Sequence, residues 1–337
     1  MATKKKLTER MLRAAYAVAS RIVYRDSAHS DWMYEKMQRP TTCLALALNL
    51  AYYALKVPRI FRVVTVMVEP VFGCNLRCKT CWRVLDLEGR RPPLMPWELF
   101  CKFVDGLPKQ VESLVFSLMG EPLLHPRLHE MIDYAADKGL RPILFTNGTL
   151  LEGEALTRIA RSRLSVLNMS IEADQENADE MRGVDLAVLR RNLAAFAKAK
   201  RPETEVKVSI VAHPGNLDKI PFVLDEWRGI AEHIKISPQL GIAEEPGEPP
   251  LCMEPWRGNL NFYTNGDVSP CCCDWYTELA IGNMHSQTLP DIIHGEAYRN
   301  LLRRFLAGQV PNLCLKCKEF TVEGAPLRLR KRSRLRK

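Results

Sequence analysis

Between residue 63 and about residue 245, short apolar runs alternate with amphipathic segments. The runs are rich in Val, Ile, Leu and Phe and predict six strands, at 63–69, 113–118, 142–146, 165–171, 205–212 and 233–237. The segments between them have apolar residues at helical spacing and predict helices near 96–106, 126–138, 153–161, 185–199 and 217–230. Strands alternating with helices favour a parallel sheet with right-handed crossovers. We therefore predict an α/β fold, a partial (β/α)6 TIM-like barrel whose chemistry lies at the carboxyl ends of the strands.

The pattern differs on either side of this barrel. Residues 1–62 predict two helices, at 7–24 and 42–55, and form a basic helical extension. After 63–245, a stretch rich in Pro, Gly and Glu indicates a linker. Residues 246–320 then predict a small α+β domain, with a hairpin turning at Asn-Gly-Asp and a helix near 289–307. Residues 321–337 form a basic tail.

The positive charge is concentrated at the two ends of the chain. Residues 1–62 carry twelve Lys and Arg against four Asp and Glu, and residues 328–337 carry seven basic residues and no acid, whereas the whole chain has a net charge of +9. Such ends can contact the phosphates of a membrane surface or a nucleic acid, or can be solvated. No aromatic residues are interleaved with the basic residues of the tail, so we do not expect a nucleic-acid partner.

The apolar run 43–55 is too short to cross a membrane. As a helix it would span about 20 Å, against a hydrocarbon core of roughly 30 Å. It predicts either a buried helix or an interfacial helix flanked by Lys56, Arg59 and Arg62. The first twenty residues lack the apolar core of a secretory signal peptide. We therefore expect a cytoplasmic location, with peripheral membrane association as the alternative.

Cysteines are clustered, which in a chain without an export signal indicates metal binding more than disulfides. The chain has eleven cysteines, and three of them follow the first predicted strand in the sequence EPVFGCNLRCKTCW. Cys74, Cys78 and Cys81 have the spacing C-x3-C-x2-C. Three thiolates can bind three irons of a four-iron cluster and leave the fourth iron open, whereas a structural zinc site normally takes four protein ligands.

With this spacing directly after the first strand, the chain resembles the radical S-adenosylmethionine (SAM) superfamily over roughly residues 63–245. The resemblance implies a [4Fe-4S] cluster held by the three cysteines, with SAM bound to its open iron. Reduction of that cluster would cleave SAM to a 5′-deoxyadenosyl radical, which abstracts a hydrogen atom from the substrate. The cofactor would supply the difficult chemistry, and the protein would position the substrate and exclude water.

Further family segments follow at the ends of later strands. Met119-Gly120-Glu121-Pro122 is similar to the family's Gly-Gly-Glu motif, with its first glycine replaced. The resemblance implies that Gly120 and Glu121 bind the amino group of SAM, which suits a carboxylate because an ammonium group needs acceptors. Asn147, after the third strand, and Ser170 and Glu172, at the end of the fourth, are then expected to contact SAM.

A second group of cysteines lies in the C-terminal domain, at positions 252, 271–273, 314 and 317. Four thiolates suit zinc and an iron–sulfur cluster equally well. The stretch 252–317 resembles the twitch domain, a short form of the SPASM domain, which carries an auxiliary [4Fe-4S] cluster. Carried over by position, its ligands are Cys252, Cys271, Cys314 and Cys317. The spacing from Gly266 favours Cys271 over Cys272 and Cys273, although Cys271 and Cys273 share a face in an extended chain.

The resemblance also sets the expected reaction and partners. Relatives with this domain carry out dehydrogenation, epimerisation and peptide crosslinking. We expect a net oxidation, assisted by the auxiliary cluster, of a small sugar-like or aminocyclitol-like molecule or of a lipid-linked substrate. A maturase acting on a ribosomal peptide is the alternative enzyme, and a non-enzymatic electron carrier is the alternative class. A reductant of the flavodoxin or ferredoxin type is the expected electron donor.

Overall fold

A computed structural model describes residues 40–79, 81, 91–213, 215–227, 229–238 and 252–317. The predicted helix at 7–24, the linker before residue 252 and the basic tail lie outside these residues. The predicted domain limits therefore stay a prediction.

The six predicted strands all form, and they pair in chain order. They are β1 (Thr65–Val68), β2 (Ser113–Phe116), β3 (Arg141–Thr146), β4 (Val166–Ile171), β5 (Glu205–Ala212) and β6 (His233–Pro238). Each is parallel to its neighbour. Strands β2 and β4 are almost entirely buried, as expected for a sheet covered by crossover helices. The predicted partial TIM-like barrel is confirmed.

Helices connect the strands much as the apolar spacing predicts. They are α1 (Pro40–Ala54), α2 (Trp97–Gly106), α3 (Leu128–Asp137), α4 (Gly153–Arg161), α5 (Gln175–Arg182), α6 (Leu186–Ala199) and α7 (Ile220–Glu226). Two differ from the prediction. Helix α7 is shorter than 217–230, and α5 was not predicted because its sequence, QENADEMR, has no apolar stripe. The ends of α5 are nevertheless defined, since Asp174 caps its first turn and Gly183 ends it with a φ of +66°.

The C-terminal domain extends the barrel sheet. Strand β7 (Asn259–Phe262) is parallel to β1, and β8 (Asp267–Ser269) and β9 (Gly282–Asn283) follow antiparallel to it. The strand order of the described sheet is β6-β5-β4-β3-β2-β1-β7-β8-β9. Gly266, with a φ of +83°, makes the tight turn of the predicted hairpin. Because β7 pairs with β1, the end of β7 lies beside the start of the cysteine loop.

The helical region after β9 is divided, whereas we predicted one helix at 289–307. Gly295 separates helix α8 (Leu289–His294) from α9 (Glu296–Leu306), and α10 (Asn312–Lys316) follows. Gly295 is extended, and a Cβ there would lie 2.5 Å from the carbonyl oxygen of Asp291. The chain therefore needs glycine at the junction, which separates two short helices.

Helix α1 is fastened to the C-terminal domain through a buried asparagine. The Asn49 side-chain amide donates to the carbonyl oxygens of Arg62 (2.7 Å) and Arg257 (3.3 Å), and its oxygen accepts from the backbone N–H of Phe61 (2.6 Å). The ring of Tyr53 packs edge-on against Trp256, 5.3 Å between centroids. No helix of the described part of the chain is long and apolar enough to span a bilayer.

Candidate functional site

The loop that carries Cys74, Cys78 and Cys81 leaves the carboxyl end of β1 and folds over the neighbouring strand ends. All three thiols are partly buried. The Cys74 sulfur accepts from the backbone N–H of Leu76 at 3.4 Å and from the side-chain amide of Asn147 at 3.7 Å. Burial raises the pKa of Cys74 and raises that of Cys78 to about 11. The loop thus presents three partly buried thiols on one short stretch of chain.

The segment that follows β2 packs closely against the start of this loop. A Cβ at Gly120 would lie 2.0 Å from the carbonyl oxygen of Val71 and 2.7 Å from that of Gly73, so no side chain fits there. The N–H of Glu121 donates to the carbonyl oxygen of Gly73 at 2.8 Å. Leu118, just before this segment, has a φ of +81°, a left-handed conformation that costs energy for a leucine. The segment is held in a strained shape against the start of the cysteine loop.

The carboxylate of Glu121 joins the ends of β2 and β3. It accepts from the Thr146 hydroxyl (2.7 Å), the backbone N–H of Asn147 (2.8 Å) and the backbone N–H of Leu123 (3.1 Å). Burial raises its pKa, and these donors oppose that rise. With three donors in place, a carboxylate keeps room for about one more. Asn147 in turn donates to the Asn75 side chain at 2.9 Å, which ties the third strand end to the cysteine loop.

Ser170 and Glu172 lie at the end of β4, on the same edge of the sheet. Ser170 is half-buried, and Glu172 is buried and pairs with Arg182 of α5 at 2.6 Å. The second oxygen of Glu172 is buried and has no hydrogen-bond partner among the described residues. Helix α5 also contacts the cysteine loop, since the backbone N–H of Lys79 donates to the carbonyl oxygen of Met181 at 2.8 Å. Glu121 and Asn147 therefore contact the loop directly, and Glu172 is linked to it through α5.

The C-terminal domain forms a pocket lined by thiols. Its thiols are those of Cys252, Cys271, Cys273, Cys314 and Cys317, and its apolar wall includes Leu279, Phe305 and Leu313. The four cysteines predicted as ligands are all present, and Cys273 joins them. Cys271 and Cys273 belong to a turn after β8 rather than to a strand, and Cys272 does not line the pocket. Burial raises the pKa of Cys314 well above its usual value.

The two cysteine regions are joined by direct packing. Phe72, two residues before Cys74, forms an apolar cluster with Met119, Cys273 and Trp275. Met119 occupies the position of the first glycine in the family's Gly-Gly-Glu motif. It is 6% exposed in this cluster. The replacement therefore fills the space between the barrel and the thiol-lined pocket.

Comparison with protein-family models finds both parts of this site. Residues 68–224 match the radical SAM superfamily, and residues 252–318 match an iron–sulfur cluster-binding domain described as SPASM.

The chain combines a radical SAM domain with a SPASM-type iron–sulfur domain.

Curated relatives of this radical SAM chain share about a quarter to a third of its residues over the aligned part. An AdoMet-dependent heme synthase of Methanosarcina barkeri is 27% identical over 53% of this chain and 52% of its own. A second AdoMet-dependent heme synthase, of Oleidesulfovibrio alaskensis, is 28% identical over 66% and 59%. Mycofactocin maturase MftC of Mycobacterium tuberculosis is 31% identical over 48% and 40%. The chain thus spans about half the length of the curated relatives it matches.

Solved structures show the same fold. SuiB of Streptococcus suis bound to its precursor peptide SuiA has a TM-score of 0.60 at 13% identity, covering 78% of this chain and 72% of SuiB. BtrN in complex with AdoMet and 2-DOIA has a TM-score of 0.53 at 19% identity, covering 78% and 95%. At these identities the likeness concerns the fold alone.

The donor sets of this radical SAM chain fit the clusters that its domains imply. Both sites offer thiols whose burial raises their pKa, and bound iron removes that cost because a coordinating thiol is deprotonated. The apolar wall of the C-terminal pocket suits a cluster shielded from water. Among the described residues, no group of three or more His, Cys, Asp or Glu side chains is arranged to hold a single metal ion. The domains hold a [4Fe-4S] cluster with SAM and an auxiliary iron–sulfur cluster.

Sequence reasoning missed three charged residues of this region. Glu69 directly follows β1, Arg91 pairs with Glu69, and Arg182 pairs with Glu172. Arg182 had no sequence signal because α5 was not predicted. Glu69 could have been found, since an acidic residue directly after an apolar parallel strand stands at the functional edge of the sheet.

Proposed function

We propose that this radical SAM enzyme abstracts a hydrogen atom from its substrate and completes a net two-electron oxidation with the help of the auxiliary cluster. The cluster and SAM supply the radical when bound. The observation that carries the proposal is the apolar cluster of Phe72, Met119, Cys273 and Trp275, which connects the start of the cysteine loop to the thiol-lined pocket. A substrate radical formed there would be close to an electron acceptor.

In this proposal the chain's own residues bind and orient SAM. Cys74, Cys78 and Cys81 hold the first cluster, and Cys252, Cys271, Cys314 and Cys317 hold the second. The remaining acceptor capacity of Glu121 suits the SAM amino group, and Gly120 allows the backbone to approach closely. Asn147, Ser170 and Glu172 contact the rest of SAM from the ends of β3 and β4.

The substrate we propose is a small sugar-like or aminocyclitol-like molecule, or a molecule linked to a lipid. BtrN, whose fold this chain shares, is named with the small ligand 2-DOIA. The printed names of other relatives point elsewhere, to heme and coproporphyrin synthesis and to peptide maturation. A peptide substrate therefore remains the second candidate. A reductant of the flavodoxin or ferredoxin type would supply the electron.

A specific observation favours the lipid-linked substrate. On and just after α1, Leu44, Leu55 and Phe61 are 48%, 73% and 37% exposed. Lys56 and Arg59, which follow Leu55 in the chain, are exposed as well. Apolar side chains next to basic ones suit an anionic membrane surface. Co-sedimentation of the protein with vesicles containing anionic lipid tests this contact, with Leu55→Asp as the variant and Leu217→Asp, on another exposed leucine, as the control. Equal binding of both variants, or no binding by the wild-type protein, would remove the lipid-linked candidate.

The auxiliary site is tested by replacing neighbouring cysteines. Cys317→Ala removes a pocket thiol, and Cys272→Ala removes an adjacent thiol that does not line the pocket. After anaerobic reconstitution we expect about eight irons per chain in the wild-type protein and Cys272→Ala, and about four in Cys317→Ala, which should still cleave SAM. Equal iron content in the two variants would contradict the ligand set. About four irons in the wild-type protein as well would assign the pocket a structural role instead.

A further inference from the structure

A buried ion pair lies between the two cysteine regions. Nη2 of Arg91 is 3.2 Å from Oε1 of Glu69, and the two side chains are only 3% and 0% exposed. Glu69 directly follows β1, and its other oxygen accepts from the backbone N–H of Thr264 at 3.2 Å, at the end of β7. The pair thus bridges the parallel strands that join the barrel to the C-terminal domain.

The Arg91 guanidinium is enclosed by two aromatic rings. Its central carbon lies 4.3 Å from the centroid of the Phe72 ring and 4.4 Å from that of Tyr263. Phe72 is two residues before Cys74 and belongs to the same apolar cluster as Cys273. The Tyr263 hydroxyl donates to the carbonyl oxygens of Asp274 (2.9 Å) and Cys271 (3.4 Å). Each ring therefore connects the cation to a loop that carries cluster ligands.

Within the part of the chain that the structure describes, the guanidinium lacks the hydrogen bonds that usually accompany burial. Nε, Nη1 and Nη2 of Arg91 are buried and have no hydrogen-bond partner among the described residues. A buried cation with one counter-ion and unmet donors is costly, and an apolar pair of the same size would generally be no less stable. Stability alone therefore does not explain this pair.

The surroundings suggest what the charge does. Iron–sulfur clusters held by thiolates become more negative when reduced, and net charge nearby is one of the factors that set their reduction potentials. A charge in a dry interior acts over a longer distance than one in water, because it is screened less. A fixed cation stabilises the reduced form of a neighbouring cluster, and a fixed carboxylate disfavours it.

We propose that Arg91, with Glu69 as its counter-ion, is a positioning residue that links the two cluster loops electrostatically and raises the reduction potentials of both clusters. This inference rests on the proposed function in requiring both clusters to be present. It assigns to Arg91 no contact with substrate, which agrees with its near-complete burial.

The test is an EPR-monitored redox titration of the reconstituted full chain at pH 8.5. Arg91→Met removes the cation, Arg91→Lys keeps the charge without the planar fork, and Glu69→Gln removes the anion. We expect Arg91→Met to lower the equilibrium constant for one-electron reduction of each cluster about tenfold. This corresponds to a reduction potential about 59 mV more negative. Glu69→Gln should shift both potentials in the opposite direction, and Arg91→Lys should stay near the wild-type values.

The outcomes separate this inference from the proposed function. Wild-type protein with only one cluster would contradict the proposed function itself. Two clusters whose potentials do not change in the variants, change in only one cluster, or move in the same direction in Arg91→Met and Glu69→Gln would overturn the electrostatic link. Should Arg91→Met fail to fold, the opposite-sign shift in Glu69→Gln still decides the question.

Discussion

Gly120 is the position at which the structure predicts the sharpest effect of a single methyl group. In Gly120→Ala, the new Cβ would lie 2.0 Å from the Val71 carbonyl oxygen and 2.7 Å from that of Gly73. Both atoms are backbone and precede Cys74, so relief of the clash requires the chain to move by about 1 Å, which puts the cost near the upper end of the roughly 1–3 kcal/mol typical of overpacking. We expect a fall in Tm of roughly 2–4 °C per kcal/mol lost.

The displacement should also damage the cysteine loop. We expect Gly120→Ala to bind less iron and to form several-fold less 5′-deoxyadenosine from SAM than the wild-type protein. Gly139→Ala is the matched control, because Gly139 has a φ of +78° with nothing within 4 Å of its Cβ position. Its cost of about 1 kcal/mol is conformational and far from the loop, so stability falls while iron and SAM cleavage persist. Wild-type iron content and turnover in Gly120→Ala would refute the argument.

Three further substitutions test the helix α1 contact, the buried Glu69 and the Glu121 carboxylate. Asn49→Ala should cost about 1–3 kcal/mol in denaturant unfolding, because it leaves the N–H of Phe61 and the carbonyl of Arg62 unpaired, and an unchanged midpoint would contradict the role of that clamp. Burial raises the pKa of Glu69 to about 7 despite Arg91. The folded state therefore binds this proton more tightly than the unfolded chain, so Glu69 contributes stability below about pH 4.5 that is lost as the pH rises through about 7. Between these pH values, the unfolding free energy of the wild-type protein should fall more steeply than that of Glu69→Gln. Equal pH dependence of the two proteins would contradict the raised pKa of Glu69. Glu121→Gln places an NH2 group opposite hydrogen-bond donors that the carboxylate accepts from. The dissociation constant for SAM should therefore rise about tenfold or more. Unaltered SAM binding in equilibrium dialysis would exclude a role of Glu121 in binding SAM.

The barrel was predictable because its strands and most of its helices carry a clear apolar period. Strand β4 and helix α6 are examples, since each has an uninterrupted pattern and lies within one residue of its predicted limits. Helix α5 was missed because its position depends on the Asp174 cap and on contact with the cysteine loop rather than on an apolar face. The parallel pairing of β7 with β1 joins residues nearly two hundred positions apart, and no local pattern encodes such a contact.

The candidate site was predictable where spacing carries chemistry. The C-x3-C-x2-C motif and the C-terminal cysteines specify sulfur ligands in a fixed order, and the structure brings each set to one loop or pocket. The packing roles of Met119 and Arg91 could not be found in this way. Each acts through packing between two domains, so its significance depends on neighbours such as Phe72 that are distant from it in the chain.

The most direct test of the central claim is SAM cleavage by the anaerobically reconstituted protein with dithionite, followed as 5′-deoxyadenosine. Cys74→Ala is the variant, and Cys101→Ala, a cysteine of α2 away from both sites, is the control. We expect product from the wild-type protein and Cys101→Ala and none from Cys74→Ala. Absence of product from wild-type protein that contains its iron, or equal product from Cys74→Ala, would contradict the claim that this loop starts radical chemistry.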